Sequence, residues 1–518
     1  MDGLTRRALF AGSAVGATAA LLPAAPAAAQ PKPKSAGSCV SYRAAYHFTV
    51  PGQWKNDPQR PVWIDGEYRY YYLYNADYLA GGEVGTAWRL ATSTDLVSFT
   101  DRGIAVPKDT TVNGDVWSGS AVVDTGNTAG FGAGSVIAVV TMSPGGGTGH
   151  QEQFLYYSTD GGRTFTNHGT DPVLPNPGVA DFRDPKVIRD EDDDRWVMAL
   201  AEHNKIGFYH SADLKSWTYA GGFVKDGIGV LECPDLFRLT ADDGTAKWVL
   251  GASADGTASG LPPTYAYWTG SFDAGAFTAD SADPQWLDHG WDWYAAVTFD
   301  KRDAAGSVDP AARYALGWLN NWAYAQTTPT IDADGFNGTD SVVREVTLKK
   351  SSSGAYYLAS QPVAALDAYV SRTLDLGDLT VDGSRLLDYR GISYELTTEI
   401  TWSQLTGAGA QLRRSPDGGR HIDAGVYRDY AFLNRRGTVN PDTSGTRQES
   451  HSPFDPSAGR VRLRILVDRT SVEMFVDDGR YVHSTEVFPY LVDDRLALFS
   501  IDGTAVFRNT VIREFSAG

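Results

Sequence analysis

A hairpin-like segment recurs three times in the first half of the chain and constrains the fold more than any other feature. Its copies are ATSTDLVSFTDRG (91–103), YYSTDGGRTFTNHG (156–169) and YHSADLKSWTYAG (209–221). Each joins an apolar strand end to Ser-x-Asp, a turn, an aromatic residue and a short polar strand. A unit repeated at roughly 50 to 65 residues predicts the blades of a β-propeller, whereas a β-sandwich with long loops leaves the recurrence unexplained.

Short strands bounded by Gly, Asp, Asn and Pro fill the stretch from residue 40 to about 350, and amphipathic helical spacing is scarce. Roughly 310 residues are enough for five blades of four strands. After a linker near 351–370, alternating strands resume with the spacing of a β-sandwich. The 518-residue chain is therefore predicted to be all-β, with a five-bladed β-propeller over 40–350 and a β-sandwich over 370–518.

The first 30 residues have the pattern of an export signal. Arg6 and Arg7 precede an Ala- and Leu-rich run that ends at Leu22, and small residues suited to cleavage follow up to Ala29. Paired arginines before a mild apolar run are typical of twin-arginine signals, which export folded proteins. The run is too short and too rich in alanine to span a bilayer. We therefore expect a cleaved twin-arginine-type signal peptide at 1–30 and a secreted, extracellular mature protein that is not in a membrane.

Charge and cysteine content narrow the function classes. The chain has 45 basic and 63 acidic residues, and its net charge of −18 disfavours nucleic acid or an anionic membrane as the partner. A neutral substrate carries no such penalty, and aromatic residues, 12% of the chain, also stack on sugar rings. Two cysteines, Cys39 and Cys233, rule out a disulfide-rich framework and a four-thiolate zinc site. Whether these two pair after export stays open.

The sequence contains no motif that indicates a cofactor or a metal. A glycine-rich phosphate loop and a His-Glu-x-x-His motif are both absent, and the nine histidines are scattered without ligand spacing. The acidic run at 189–196 lacks the alternating ligands and the glycine of a calcium loop. We interpret that run as a solvated hairpin and expect neither a cofactor nor a metal.

Three acidic residues occur where a strand is expected to end, each followed by a proline within two residues. Asp57 lies in QWKNDP, Asp184 in FRDPKV and Glu232 in VLECPDLF. Proline forces the residue before it towards extended geometry and cannot continue a sheet ladder. A single acid of this kind is equally typical of a surface Asx-Pro turn. Three of them, spread over successive blades, predict side chains presented at one end of the propeller channel.

Four motifs in the order of the chain resemble glycoside hydrolase family 32, the fructan hydrolases and fructosyltransferases. They are WKNDP (54–58), WSGS (117–120), FRDPKV (182–187) and ECPDLF (232–237). The resemblance extends over nearly all of the mature chain, including segments 287–299, 315–325 and 466–479. It implies a five-bladed propeller followed by a β-sandwich, the same architecture that the strand pattern predicts.

The resemblance also implies a role for each acid. Asp57 corresponds to the nucleophile, Glu232 to the general acid/base and Asp184 to a stabiliser of the transition state through fructose hydroxyls. Glu232 must carry a proton for the leaving oxygen while Asp57 stays ionised, and a covalent fructosyl-enzyme then gives retained configuration. Arg183 is suited to hydrogen-bonding sugar hydroxyls and to holding Asp184 ionised.

Further positions of the fructose pocket follow from the same resemblance. They are Asn56, Trp117, Ser118, Asp292 and Trp322. For Trp117 and Trp322, core packing remains an equal alternative. Cys233 follows the acid/base, and we expect it to pack rather than to react, because no histidine is beside it in sequence.

Residues around Asp57 bear on the substrate. Lys55 and the pair Gln59-Arg60 differ from the commonest form of the family and resemble a branch that acts on levan, the β-2,6-linked fructan. The leading hypothesis is a secreted retaining enzyme that cleaves levan. Attack by water releases fructose or levanbiose, and attack by a neighbouring fructose hydroxyl releases a difructose dianhydride. The alternatives are an inulinase or invertase-type enzyme and a non-catalytic fructan-binding propeller, and the oligomeric state stays open.

Overall fold

The computed structural model describes residues 41–81, 85–144, 150–257 and 261–516, which form 33 strands. The predicted signal peptide and Cys39 lie outside these residues. Helical segments are short: α1 (Thr330–Asp334) and 3-10 helices at Ala364–Tyr369 and Pro456–Ala458. Within the described ranges, no helix is long and apolar enough to cross a membrane.

Five sheets form the first part of the molecule, and their strands are antiparallel apart from one parallel pair in the first sheet. The first sheet contains β1 (Gln53–Pro58), β2 (Val62–Ile64), β3 (Glu67–Asn75), β4 (Ala87–Ser93), β5 (Thr100–Val106) and β21 (Phe336–Asn337). The second contains β6 (Gly119–Asp124), β7 (Ser135–Met142), β8 (Glu152–Ser158) and β9 (Thr166–Asn167). The third contains β10 (Phe182–Asp190), β11 (Arg195–Glu202), β12 (Lys205–Ser211) and β13 (Thr218–Val224).

The fourth sheet contains β14 (Glu232–Thr240), β15 (Ala246–Asp255), β16 (Pro263–Asp273), β17 (Ala276–Ala279) and β18 (Gln285–Trp286). The fifth contains β19 (Tyr294–Arg302), β20 (Val308–Trp318), β22 (Arg344–Lys350) and β23 (Tyr356–Pro362). Strand β23 lies beyond the boundary expected at residue 350, because it pairs with β22 as the outer strand of this sheet. Strand β21, which lies between β20 and β22 in the chain, runs parallel to β1 and so connects the fifth sheet to the first.

The recurring Ser-x-Asp segment is the turn between the third and fourth strands of a blade. In the first sheet, Ser93 Oγ accepts from Leu96 N at 2.7 Å and Asp95 Oδ1 from Val97 N at 2.9 Å. In the third sheet, Ser211 Oγ accepts from Leu214 N at 2.8 Å. The serine and aspartate therefore satisfy backbone donors that the turn leaves without a ladder partner, which explains why the motif repeats with the blade.

Ten strands follow in one hydrogen-bonded network. They are β24 (Val370–Arg390), β25 (Tyr394–Thr401), β26 (Gly407–Arg414), β27 (Ile422–Tyr427), β28 (Tyr430–Asn434), β29 (Glu449–Pro453), β30 (Arg460–Val467), β31 (Ser471–Val476), β32 (Tyr481–Glu486) and β33 (Arg495–Phe515). The first half of β33 pairs with β26 and its second half with β25, so one long strand serves both layers. Apolar side chains from both layers share a core that includes Leu396, Leu433 and Leu498. The predicted all-β fold, a five-bladed propeller followed by a β-sandwich, is confirmed.

Candidate active site

The structure brings Asp57, Asp184 and Glu232 together on the first strands of three different sheets. Asp57 is near the end of β1, Asp184 near the start of β10, and Glu232 is the first residue of β14. All three are buried, and Glu232, the most accessible, is 7% exposed. Carboxylate oxygens of Asp57 and Asp184 approach within 4.8 Å. Because the three side chains converge, one neutral substrate residue could contact all of them.

A break in strand pairing lies at each acid, with Asp57 and Asp184 inside the irregular stretch and Glu232 at its start. Strand pairing shifts register between Lys55 and Pro58, between Arg183 and Lys186, and between Glu232 and Asp235. Each interval contains a proline, which has no N–H for the ladder, so the strand bends there. These prolines therefore mark bulges inside strands rather than surface turns.

Two side chains orient the Asp57 carboxylate. Asn56 Nδ2 donates to Oδ1 at 2.9 Å, and Ser118 Oγ donates to Oδ2 at 2.5 Å. Asn56 is held in turn by Trp54, whose Nε1 donates to Asn56 Oδ1 at 3.0 Å. The carboxylate is thus fixed both from its own strand and from the segment that leads into β6.

Glu232 lies between an arginine and a tyrosine. Arg183 donates from Nε and Nη2 to Oε1 at 3.1 and 3.0 Å, while the Tyr294 hydroxyl donates to Oε2 at 2.5 Å. Arg183 Nη1 also donates to Asp181 Oδ1 at 2.6 Å and to Gln151 Oε1 at 3.2 Å. Burial alone would raise the pKa of Asp181, but Arg183 and His203 outweigh it and hold that pKa below its usual value. The guanidinium is therefore fixed by neighbours on both sides.

Cys233 lies against two of the acids and connects them. Its backbone N–H donates to Asp184 Oδ2 at 3.0 Å, and its Sγ is 3.6 Å from that atom and 3.9 Å from Asp57 Oδ2. Burial, together with the charges of Asp184 and Asp57, raises the pKa of the thiol well above its usual value. Although these three side chains could surround a cation, a thiol must lose its proton to ligate a metal. A packing role is the better fit.

Comparison with known proteins identifies the family. Residues 47–362 match the family model described as "Glycosyl hydrolases family 32 N-terminal domain", and residues 367–514 match its C-terminal counterpart. The chain belongs to glycoside hydrolase family 32. The predicted family is thereby confirmed across both parts of the fold.

Relatives and solved structures of this family cover most of the chain. A levanbiose-producing levanase of Bacillus subtilis (strain 168) is 52% identical over 479 residues, which is 92% of this chain and 91% of that protein. A levanbiose-producing levanase of Geobacillus stearothermophilus is 52% identical over 402 residues, 77% of this chain and 100% of that protein. The crystal structure of exo-inulinase from Aspergillus awamori has a TM-score of 0.81 at 26% identity, covering 92% of this chain and 99% of that one.

Two tryptophans predicted to line the family 32 pocket are half-buried next to residues of the site. Trp117 precedes Ser118 and donates from Nε1 to Asp115 Oδ2 at 3.0 Å. The Trp322 ring centroid lies 4.8 Å from that of Trp318 and 6.2 Å from that of Trp54. The Trp322 ring contributes to packing, and for both tryptophans a place in the wall of the sugar pocket stays a prediction.

Asp292 is buried at the junction with the C-terminal sandwich. Its Oδ2 accepts from Arg435 Nη1 at 2.7 Å and from Glu486 N at 2.7 Å, and the Tyr324 hydroxyl donates to its Oδ1. Each carboxylate oxygen is therefore engaged by protein donors. A contact between Asp292 and the sugar stays a prediction.

Lys55 and Arg60, which suggested the levan-acting branch, are held by contacts within the propeller. Lys55 is fully buried, pairs through Nζ with Asp340, and lies 5.5 Å from the Tyr72 ring centroid. Arg60 donates from Nη1 to Gly119 O at 2.9 Å and from Nη2 to Pro234 O. These side chains connect the first sheet to other parts of the propeller.

Proposed function

We propose that this protein is a levanase that hydrolyses β-2,6 linkages of levan with retained configuration and releases levanbiose. The observation that carries the proposal is the convergence of Asp57, Asp184 and Glu232, each oriented by neighbouring donors. Identity of 52% to levanbiose-producing levanases supports levan as the substrate and hydrolysis, rather than intramolecular transfer, as the outcome.

In the first step, Asp57 attacks the anomeric carbon while Glu232 gives its proton to the leaving oxygen. The C–O bond to the departing chain breaks, and an ester forms between the fructosyl unit and Asp57. The carboxylate of Asp184, near Asp57, is in reach of fructose hydroxyls, whose hydrogen bonds strengthen as positive charge develops on the ring. Arg183 fixes Asp184 and Glu232 in relation to each other.

The contacts of Glu232 favour one of its two oxygens for the proton. Arg183 occupies Oε1 with two N–H groups, so Oε2 is the oxygen that carries the proton. The Tyr294 hydroxyl, 2.5 Å from Oε2, is both a donor and an acceptor and can turn when that oxygen is protonated. In the second step, Glu232 takes a proton from water, and the resulting hydroxide attacks the anomeric carbon and frees Asp57.

Product analysis with matched variants tests the proposal. The mature protein is incubated separately with levan, inulin and sucrose, and small products are identified by mass spectrometry. We expect levanbiose from levan, loss of at least about 10⁴-fold in turnover for Asp57→Asn and Glu232→Gln, and little change for the exposed control Asp192→Asn. A product one water lighter than levanbiose would replace hydrolysis by intramolecular transfer. Activity confined to inulin or sucrose would overturn levan as the substrate.

A covalent intermediate and export have their own tests. Rapid quenching of Glu232→Gln with an activated fructoside is expected to leave a fructosyl adduct on the peptide that contains Asp57, because ester hydrolysis lacks its base. We further infer that the protein acts outside the cytoplasm, since residues 1–30 have the pattern of an export signal. N-terminal sequencing of the exported protein should find cleavage near Ala29.

A further inference from the structure

Arg435 links the sandwich to two propeller loops. It follows β28, is fully buried, and donates from Nη1 to Asp292 Oδ2 at 2.7 Å and from Nη2 to the Tyr324 hydroxyl at 2.8 Å. The Tyr324 hydroxyl donates in turn to Asp292 Oδ1. Three side chains from three separate segments therefore form a closed ring of hydrogen bonds, which fixes the two propeller loops relative to each other.

The sandwich holds Arg435 in a single orientation. Its Nε donates to Arg447 O at 2.9 Å, and Nη1 also donates to Glu486 O at 2.8 Å. The Glu486 backbone N–H contacts Asp292 Oδ2 directly, at 2.7 Å. A planar guanidinium bound through all three of its nitrogens has little freedom to move, so it transmits its position to Asp292 and Tyr324.

Both loops lead to residues that orient the acids. Asp292 is two residues before Tyr294, whose hydroxyl donates to Glu232 Oε2 at 2.5 Å. Tyr324 is two residues after Trp322, whose ring packs with that of Trp54 at 6.2 Å. Trp54 belongs to the same strand as Asp57. The ring of hydrogen bonds is thus close in sequence to residues that contact Glu232 and that pack beside the strand of Asp57.

We propose that Arg435 is a positioning residue for catalysis, which holds Tyr294 against Glu232 and Trp322 against Trp54 without touching substrate. The inference rests on the proposed function, because it needs Glu232 to act as the acid/base. It makes the sandwich part of the catalytic apparatus rather than only a support. Misplacement of a reacting group by about 1 Å is enough to lower a rate by 10²-fold, so loss of this contact should appear in turnover.

The experiment compares Arg435→Met with Tyr294→Phe. We expect Arg435→Met to lower kcat on levan by about 10- to 100-fold with a smaller change in KM. Without the Tyr294 donor, ionised Glu232 is less favoured, so the alkaline limb of the pH profile should move to higher pH in both variants. The loss in the double variant should be smaller than the sum of the two single losses, because both changes disturb the same contact between Tyr294 and Glu232.

Two further variants separate positioning from stability. The double variant Arg435→Met/Asp292→Asn removes the buried carboxylate that Arg435→Met alone leaves without its cation. We expect it to recover thermal stability but not the wild-type pH profile. Arg420→Met removes a half-exposed sandwich arginine that pairs with Asp493 at 2.7 Å, and it should leave kcat unchanged. If Arg435→Met does not fold, Arg435→Lys is measured in its place, since one ammonium cannot reproduce the two contacts.

Failure of the inference differs from failure of the proposed function. A wild-type kcat and pH profile for Arg435→Met, per folded molecule, would overturn the positioning role while levan cleavage stands. Additive losses in the double variant with Tyr294→Phe would overturn it as well. A wild-type protein that releases no product from levan, inulin or sucrose would overturn the proposed function and this inference together.

Discussion

The Ser118 hydroxyl lies 2.5 Å from Asp57 Oδ2, so a residue of the second blade orients a carboxylate carried by the first. Asn56 Nδ2 binds the other oxygen from within the same strand, at 2.9 Å. Because one donor is local and the other comes from the neighbouring blade, the direction of the carboxylate depends on how the two blades pack.

Replacing Ser118 by alanine should therefore lower kcat/KM. Hydrogen bonds to charged groups contribute about 1.5–3 kcal/mol, which corresponds to a loss of roughly 10- to 100-fold. The measurement is steady-state kinetics on levan oligosaccharides, with the exposed Ser98→Ala as the matched control. A higher KM with unchanged kcat would instead make Ser118 a contact for the sugar alone.

Lys55 and Asp340 should stabilise the propeller without selecting the substrate. Burial lowers the pKa of Lys55, and Asp340 opposes that shift as its partner. We expect Lys55→Met to lower the free energy of unfolding by about 3–5 kcal/mol, because it leaves the buried Asp340 carboxylate without its cation. The double variant Lys55→Met/Asp340→Asn should recover part of this loss. Denaturant unfolding measures both. A changed ratio of levan to inulin activity at unchanged stability would restore a role in specificity.

The fold was predictable because its signals are local. Ser-x-Asp turns repeat because they satisfy backbone donors within a few residues, and the proline after Asp57 or Asp184 causes a bulge at that same point. The convergence of the acids followed from the motifs together with the topology of a propeller. No contact between distant residues was needed for these predictions.

Long-range contacts explain what the sequence could not predict. The contact of Asp292 with Arg435, 143 residues away, was not predicted. Tyr294 was missed because its hydroxyl reaches Glu232 from another blade, 62 residues along the chain. The contact of Lys55 was likewise not predicted, because its partner Asp340 is 285 residues away. Such pairings depend on three-dimensional packing, and no spacing in the sequence specifies them.

Cys233 should be an inert free thiol. Its side chain is enclosed beside Asp184 and Asp57, and burial together with those charges keeps its pKa high. We expect no alkylation of the native protein by iodoacetamide at pH 8, and full alkylation after unfolding without reductant, measured on the Cys233 peptide by mass spectrometry. Alkylation of the native protein with loss of activity would indicate a reactive thiolate. Absence of alkylation after unfolding would indicate a disulfide.

His47 should make the junction between propeller and sandwich sensitive to alkaline pH. Its Nδ1 lies 2.9 Å from Asp468 Oδ2 and its Nε2 lies 3.0 Å from Glu473 Oε1. Burial alone would lower the pKa of His47, but hydrogen bonds to Asp468 and Glu473 raise it to about 9. An unfolded histidine titrates near 6.5, so the stabilisation is fully present below about pH 6.5 and is lost as pH rises through about 9. This pKa difference corresponds to a free energy on the order of 3 kcal/mol.

Thermal unfolding of wild type and His47→Gln between about pH 6 and pH 10 measures that contribution. The Tm of the wild type should fall more steeply over this range, and the two curves should approach each other at the alkaline end, because neutral His47 and glutamine both leave the carboxylates of Asp468 and Glu473 without a cation at His47. His451→Gln, at a half-exposed histidine of the sandwich, is the matched control and should follow the wild type. Parallel curves for wild type and His47→Gln would contradict a buried imidazolium at this junction.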